Sequence, residues 1–428
     1  MTDIERAYEA IKNKRETYDS LYSYYDGHPV LKYSTQRIAR AFNNSLAYFA
    51  ENWAGVIINA VLDRLVLKGF DASNDSINIK IDELFNRLNL NLDAKDIHES
   101  LQVTGEAFLI VDVVDGETDV YFNDPRLCHM EYNPDRPKVK SFAAKEWIGE
   151  DGKTYINLYY PDRTEKYVSD NGDTAKSFTQ IDSTPNPTGV IPVFHFKNSR
   201  RIVKGELDDS TLSMLDAINK LFSDLMVAAE FETFKTKVFI SQVDPGDIKM
   251  GPDMKLWLPA NESTGEDTKV LELGGSNLEN FLKPITQLAE SLAIQTRTPK
   301  NLFMALGANI SGEALVVEEA SLVKKVLSKE EAYSPTWSEF AAYLLKLNGI
   351  TVDSTKLIPV WEKPETKLPL TEAMVIKTEH DAGIPVINSL RRRGADEAEI
   401  QQLEQDIKDD DSRKQTSLAT SMMNFNRE

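Results

Sequence analysis

The sequence contains little cysteine and histidine, which argues against several kinds of site. Its one cysteine, Cys128, cannot form a disulfide within the chain. No base motif accompanies Cys128, so we expect a buried apolar residue. The five histidines are scattered along the chain, and helix packing or a surface position explains the adjacent His98 and Glu99 better than metal binding does. We therefore predict no metal ion and no cofactor.

The sequence also lacks long apolar runs, an excess of basic residues and nucleotide motifs. No run approaches the ~18 apolar residues of a membrane span, and the N-terminus has no signal-peptide pattern, so we expect cytoplasmic synthesis and no membrane contact. A net charge of −19 argues against holding nucleic acid by general phosphate attraction, but not against letting it slide past. Neither glycine-rich phosphate-binding motif occurs. We predict no catalytic residues and a protein that is not an enzyme.

The apolar periodicity predicts an α+β fold that is predominantly helical, with a mainly antiparallel sheet in its N-terminal half. Asp115-Gly116 predicts a two-residue hairpin, and 169–188 is predicted to be a polar loop. The predicted helices before the hairpin are 4–25, 46–68, 79–88 and 93–104. The predicted strands are 107–114, 118–122, 139–147, 154–160, 165–168 and 190–197.

The most unusual stretch runs from Gly205 to Gly312. It predicts a long helix from Glu206 to about Phe234, an excursion rich in glycine and proline, a return helix, and a loop over 300–312. The excursion contains short strands at 237–241, 255–258 and 269–273, and is too small to form a core alone. A helix over 312–347, kinked at Pro335, and a strand over 356–361 follow. The tail predicts helices at 371–382 and 396–406, and disorder from Asp409 onward.

Several local motifs, in this order and spacing, carry a resemblance to a known family. They are Arg64–Phe70, Gly105–Asp112, Asp124-Pro125, Ile191–Asn198, Gly205-Glu206, Thr298-Pro299 and Ser311–Leu315. With a strand-bearing insertion between two long helices, the chain resembles the portal (connector) proteins of tailed bacteriophages, of the type found in phages with long non-contractile tails. The resemblance covers about residues 45 to 345.

The resemblance implies a division of the chain into parts. An N-terminal wing of helices and antiparallel sheet would be followed by two stem helices that flank a small β-containing clip, then by a DNA-facing tunnel loop and a helical C-terminal crown. The implied ranges are 1–205 for the wing, 206–237 and 277–299 for the stem, 238–276 for the clip, 300–312 for the tunnel loop, 313–369 for a long kinked helix returning to the wing, and 370–428 for the crown and tail.

The resemblance also implies a function and partners. Typically twelve copies would form a ring at one capsid vertex, assembled in the host cytoplasm, through which double-stranded DNA enters during packaging and leaves during ejection. The ring would dock the terminase motor and the head-tail adaptor, and would contact the major capsid and scaffolding proteins. The motor's ATPase would be another chain.

Three sets of candidate site residues follow from these implied parts. Seven acidic against three basic residues between 206 and 237 would give a ring a wall that repels phosphate, although they could equally solvate the outside of a helix. The candidates are Lys300, Asn301, Asn309 and Ser311 for the tunnel loop; Asp209, Asp216, Asp224 and Glu230 for the channel wall; and Asp244, Pro245, Asp247 and Trp257 for the clip interface.

Two other classes of protein remain open from the residues alone. One is a cytoplasmic, acidic, carboxylate-dependent hydrolase, which the abundance of aspartate and glutamate favours only weakly because no spacing pairs an acid with a base. The other is an assembly scaffold that does not contact DNA.

Overall fold

The fold was analysed in a computed structural model. The residues that it describes are 1–29, 51–114, 116–199, 201–233, 237–241, 255–259, 269–272, 278–304, 312–366, 369–392 and 400–408. The chain divides into two compact units, residues 1–310 with 317–364, and residues 311–316 with 365–428.

The N-terminal helices begin at side-chain caps. Helix α1 (Asp3–Tyr25) starts with a capping box between Thr2 and Glu5, and α2 (Trp53–Leu62) starts at Asn52, whose side chain accepts from the Gly55 N–H. Helices α3 (Asp75–Arg87) and α4 (Leu90–Val103) follow, close to their predicted positions.

The predicted helix 46–68 is wrong at its C-terminal end. Helix α2 ends at Leu62, and strand β1 (Leu67–Asp71) follows and pairs with β13 (Ile358–Trp361), nearly 300 residues later in the chain. The apolar stripe does continue, because Leu65 and Leu67 are buried. The pairing with β13 supplies the backbone hydrogen bonds, so a distant partner decides the backbone conformation here.

Two antiparallel sheets follow, in strand orders β3-β2-β9 and β4-β5-β6-β7-β8. The predicted hairpin is confirmed, since Val114 pairs with Glu117 and Gly116 has a φ of +84°. The strands are β2 (Glu106–Val114), β3 (Glu117–Asn123), β4 (Cys128–Tyr132), β5 (Lys140–Ile148), β6 (Thr154–Tyr159), β7 (Arg163–Ser169), β8 (Thr179–Pro185) and β9 (Val193–Lys197).

The predicted polar loop 169–188 is wrong, because it contains β8. All seven residues of β8 are exposed, so its sequence shows no apolar alternation, and only its ladder with β7 makes it a strand. Strand β4 was not predicted either. Cys128 in β4 is fully buried, as expected.

The core lies between four layers. Helix α1 packs on one face of the five-stranded sheet, whose other face packs against the three-stranded sheet through residues such as Phe108, Met130 and Ala143. The outer face of the three-stranded sheet meets α3, α4 and the later helix α7 (Gly312–Leu347) through Phe194, Phe196 and others. This layering holds the ends of β2 and β9 beside α7.

Two further helices leave this core. Helices α5 (Asp209–Thr233) and α6 (Glu279–Thr296) pack on each other and on α1 and α2, through a cluster that includes Trp53 and Leu215. Between them, the predicted short strands are confirmed as β10 (Lys237–Ser241), β11 (Lys255–Pro259) and β12 (Lys269–Glu272). Strand β10 is central, parallel to β11 and antiparallel to β12.

Helix α7 has the bounds predicted from its sequence and continues through Pro335, whose kink stays a prediction. In the second unit, α8 (Pro369–Asp381) is followed by α9 (Val386–Arg392), and residues 400–408 are helical. The predicted disorder from Asp409 onward lies outside the described residues. No helix in the described ranges has the length and hydropathy of a membrane span.

A buried histidine connects α4, α7 and the segment before β1. His98 is 1% exposed, donates from Nδ1 to the Leu65 carbonyl (3.1 Å) and accepts at Nε2 from the indole N–H of Trp337 (3.3 Å). Burial lowers the pKa of His98 to about 3, so the ring is neutral in the folded protein. The helix-packing role predicted for this residue is therefore confirmed.

We expect His98 to make the fold sensitive to acid. Its folded pKa lies below that of the unfolded chain, so only the unfolded state gains this proton as the pH falls below about 6.5, which costs up to ~1.4 kcal/mol per pH unit. Denaturant unfolding at pH 7 and pH 5 measures the effect. In His98→Gln the stability difference between the two pH values should shrink, whereas the exposed control His380→Gln should keep it. An unchanged difference in His98→Gln would contradict the assignment.

Candidate functional site

Two backbone segments cross in near contact at Gly105 and Gly205. A Cβ built on Gly205 would lie 2.2 Å from the Val103 carbonyl oxygen, and one on Gly105 would lie 2.3 Å from the Lys204 carbonyl carbon. Real Cβ atoms do not approach backbone this closely, and Gly105 also has a φ of +92°. Both positions therefore require glycine for this crossing to form.

The side chain of Asn198 joins the crossing segments. Its Nδ2 donates to the carbonyls of Leu101 (2.7 Å) and Lys204 (2.9 Å), while its backbone N–H donates to the Gly105 carbonyl (2.9 Å). Tyr333 of α7 donates its hydroxyl to Asn198 Oδ1. One amide thus satisfies backbone carbonyls of both segments and attaches them to α7.

Each of the two glycines is followed by a glutamate, of which Glu106 is buried and Glu206 is largely buried, with 12% of its side chain exposed. Glu106 is held by Lys14 (2.5 Å), by the Tyr18 hydroxyl (2.9 Å) and by His195 Nε2 (2.7 Å), and Tyr132 donates to His195 Nδ1 (3.1 Å). Burial works to raise the pKa of Glu106, but the His195 hydrogen bond and the Lys14 ammonium outweigh it and hold the pKa below its usual range. Burial lowers the pKa of His195 to about 4, so a neutral imidazole donates to an ionised carboxylate.

The second glutamate, Glu206, organises what we call the helix junction: Glu206, Thr296, Lys325 and Lys329. The Glu206 carboxylate lies 3.0 Å from Lys325 Nζ and 2.8 Å from Lys329 Nζ. Lys325 also donates to the Thr296 carbonyl at the end of α6 (2.6 Å), and the Glu206 N–H donates to the Gln102 carbonyl (2.7 Å). The approach to α5, the end of α6 and the middle of α7 are therefore joined by one ion-pair cluster.

Two ammonium groups face one carboxylate in the helix junction. Burial tends to raise the pKa of Glu206, but Lys329 and Lys325 outweigh it and the pKa lies below its usual range. Burial lowers the pKa of Lys325 despite Glu206. The Thr296 carbonyl belongs to the negative end of the α6 dipole, so it offsets part of the second positive charge.

Two additional contacts position the helices around the helix junction. Asp208 accepts from the Thr211 N–H (2.8 Å) and caps α5, so Glu206 precedes the helix rather than lying in its first turn as predicted. Arg64 pairs with Glu319 of α7 (3.0 Å). Helix α7 is thus tied at one side to the chain before β1 and at the other to α5 and α6.

The predicted tunnel-loop residues fall partly within the described chain. Lys300 lies in a 3-10 turn (Lys300–Leu302), with Nζ 3.6 Å from Glu318 of α7. Asn301 is half-buried, and no residue that the structure describes donates a hydrogen bond to its Oδ1. Asn309 and Ser311 lie outside the described residues.

The predicted acidic residues do not share one environment. Asp209 is exposed at the start of α5, and Asp224 is half-buried and pairs with Lys220 one turn away. Asp216 is 7% exposed and accepts a hydrogen bond from Tyr24 of α1, so its carboxylate is engaged inside the chain. Glu230 belongs to the last turns of α5.

Of the predicted clip residues, Trp257 lies in β11, opposite Phe239 of β10. Asp244, Pro245 and Asp247 lie outside the described residues. In the part of the chain that the structure describes, no group of three or more potential metal ligands occurs.

Glu106, Lys325 and Lys329 were not singled out from the sequence as site residues. The signal that could have found the glutamates is the repeated Gly-Glu step at 105–106 and 205–206, both of which carry the resemblance. The lysines give no such signal, since they lie on a helix with many charged residues.

Known proteins similar to this chain include two phage portal proteins and proteins of gene transfer agent particles. The portal protein of Mycobacterium phage L5 is 22% identical over 369 residues, covering 80% of this chain and 74% of its own. The portal protein of Mycobacterium phage D29 is 22% identical over 335 residues, covering 72% of this chain and 68% of its own. Among solved structures, the neck of an empty gene transfer agent particle computed with C6 symmetry aligns with a TM-score of 0.47 at 11% identity, covering 82% of this chain and 92% of that one. The neck of the native particle computed with C12 symmetry aligns with a TM-score of 0.48 at 10% identity, covering 85% of this chain and 95% of that one.

The family match extends over nearly the whole chain. This protein belongs to the phage portal protein, SPP1 Gp6-like, family, whose match covers residues 5–413. The family predicted from the sequence is therefore confirmed, and so is the prediction that the chain is not an enzyme, because this family is structural.

We expect Lys325→Met to lower the free energy of unfolding by about 3 kcal/mol, because it leaves Glu206 buried with one partner fewer and the Thr296 carbonyl without its donor. Denaturant unfolding measures this. Lys324→Met, at the exposed neighbouring position, should change stability by less than about 0.5 kcal/mol.

In the double variant Lys325→Met with Glu206→Gln, the loss should be smaller than the sum of the two single losses, because each single variant already removes the Glu206–Lys325 ion pair. In the double-mutant cycle, a coupling energy near zero between these two residues would contradict the helix junction as described.

Proposed function

We propose that this protein forms a closed ring, of twelve copies, at one vertex of a phage capsid. The ring would be the conduit for double-stranded DNA during packaging and ejection. It would also be the docking platform for the terminase motor and the head-tail adaptor, in contact with major capsid and scaffolding proteins. The observation that carries the proposal is the portal-family match over residues 5–413. Assembly would take place in the host cytoplasm.

The parts of the ring follow the elements described above. Residues 1–205 would be the wing, and the crossing at Gly105 and Gly205 would be where the wing meets the stem. Helices α5 and α6 would be the stem, β10 to β12 the sheet of the clip, residues 300–312 the tunnel loop, and residues 370–428 the crown and tail.

Exposed apolar side chains on α5 and α6 support a ring wall. Met226 is 43% exposed, Leu282 49% and Ile294 80%. Among the described residues, nothing covers these large aliphatic groups, and a neighbouring copy would bury them. Burial of one such side chain contributes about 2 kcal/mol.

Only some of the candidate acidic residues support a negatively charged channel wall. The exposed Asp209 stays available to a channel wall, whereas Asp224 is paired with Lys220 and the carboxylate of Asp216 is engaged with Tyr24 inside the chain. Lys300 and Asn301 stand at the start of the tunnel loop, where they would meet passing phosphate and base edges. The pairing of Lys300 with Glu318 would keep that contact weak, as sliding requires.

Purified protein should form rings with an axial hole in negative-stain images and a matching mass in mass photometry. Ile294→Glu should raise the concentration needed for ring formation at least about tenfold, because each neighbour contact would then bury a charge. The matched control is Ile79→Glu, which places the same substitution at a helical residue of the wing that is 62% exposed. Compact monomers or dimers across salt and protein concentration would count against the ring.

In DNA-filled particles, a photoreactive amino acid at position 301 should crosslink to DNA, because the proposed tunnel loop faces the channel. The same group at position 79 of the wing should not. Crosslinks are scored by DNA attached to the protein after denaturation. Rings that form normally but give no crosslink from 301 would leave the ring proposal standing and remove the tunnel-loop assignment, which favours a scaffold that does not touch DNA.

A further inference from the structure

Part of one face of the five-stranded sheet is left uncovered by the residues that the structure describes. Ala143 and Tyr159 on this face are buried against the three-stranded sheet. Further along the same strands, Lys145, Trp147 and Tyr155 are only half-buried. We call this uncovered part the lysine–aromatic face: Lys145, Trp147, Tyr155, Asn157 and Lys166.

The lysine–aromatic face consists of two neighbouring rows across the strands. In the first row Lys145, Asn157 and Lys166 are directly paired on β5, β6 and β7. In the second row Trp147 and Tyr155 are paired, with their rings stacked at 5.4 Å between centroids and 16° between planes. A polar, cationic row therefore runs beside an aromatic row.

The ammonium groups of the first row lie beside aromatic rings, and the Asp112 carboxylate acts on Lys145 only from beyond ion-pair distance. Lys166 Nζ lies 4.9 Å from the Tyr155 ring centroid and 5.6 Å from that of Trp147, while Lys145 Nζ lies 4.6 Å from the Tyr121 ring. Within the described ranges, neither Nζ has a carboxylate oxygen within 4 Å. Neither donates to Asn157 Oδ1, a buried atom for which the described part of the chain supplies no donor. Both ammonium groups thus keep their hydrogen-bonding capacity for another acceptor.

Nearby carboxylates are engaged elsewhere. Asp182 is paired with Lys166 in the strand register, but its carboxylate accepts from the Ser183 N–H and the Thr184 hydroxyl. Asp151, close to the second row, accepts from the Tyr155 hydroxyl (2.8 Å).

We propose that the lysine–aromatic face binds an extended segment of another protein in which acidic and apolar residues alternate. Lys145 and Lys166 stand two strands apart, about 10 Å between backbones, and flexible lysine side chains can reach carboxylates spaced about 7 Å apart on one side of an extended chain. Such a segment directs its other side chains to the opposite side, where Trp147 and Tyr155 form the second row.

Charge complementarity favours an acidic segment over other occupants of the lysine–aromatic face. Each lysine can form a charge-assisted hydrogen bond with a carboxylate, which is roughly twice as strong as a neutral one. The aromatic row adds apolar contact that a phosphate backbone does not use. A second copy of this acidic chain and a nucleic acid are therefore treated as outcomes of the test.

The test uses a short fluorescein-labelled peptide of alternating Glu and Val, followed by fluorescence anisotropy with the full-length protein at low salt. We expect saturable binding that weakens as salt is added, and no binding of the matched Lys and Val peptide. The double variant Lys145→Gln with Lys166→Gln should weaken binding at least about tenfold. The control Lys138→Gln with Lys356→Gln removes the same charge at two exposed positions elsewhere and should not change the affinity.

A second measurement does not depend on how the variants fold. Carbodiimide treatment of the wild-type complex should link peptide glutamates to Lys145 or Lys166, as identified by mass spectrometry. The proposal is overturned by absence of saturable binding, by an affinity that the double variant leaves unchanged, or by crosslinks that map elsewhere. It is also overturned if a DNA duplex binds the face more tightly than the peptide does, or if the double variant changes ring formation instead. The peptide-binding and crosslinking results are independent of whether rings form.

Discussion

The close crossing of two backbone segments at Gly105 and Gly205 is the constraint on which the rest of the structure depends. With no Cβ on either residue, the chain after α4 and the chain before α5 approach to a distance that side chains would prevent. Asn198 then satisfies carbonyls of both segments. Because β2 and α5 start from this crossing, the position of the sheet determines the position of the two long helices.

The glutamates that follow these glycines attach α1 and α7 to the crossing. Glu106 receives Lys14 and Tyr18 from α1, and Glu206 receives Lys325 and Lys329 from α7. Buried ion pairs contribute little net stability after desolvation, but losing one partner is costly. Their effect here is to select one arrangement, since α1 or α7 in another position would leave a carboxylate buried and unpaired.

Regular elements with their own periodic signal were predictable, and others were not. Helix α7 has the predicted bounds, and the hairpin at Gly116 follows from a two-residue turn that needs a positive φ. Strand β8 was missed because all its residues are exposed, and β1 because its partner β13 lies far along the chain. Among the candidate site residues, Asp216 lies on the acidic helix that was predicted. Its burial, however, depends on tertiary packing against Tyr24.

By itself, the sequence determined the family and the elements that have a periodic signal, because local periodicity, turn residues and the Gly-Glu steps are properties of consecutive residues. Only the tertiary structure decided that Lys325 and Lys329 close on Glu206, and that Lys145 and Lys166 share a row beside Trp147 and Tyr155. These contacts join residues far apart in the chain. Their geometry depends on strand register and helix packing, which no short stretch of sequence encodes.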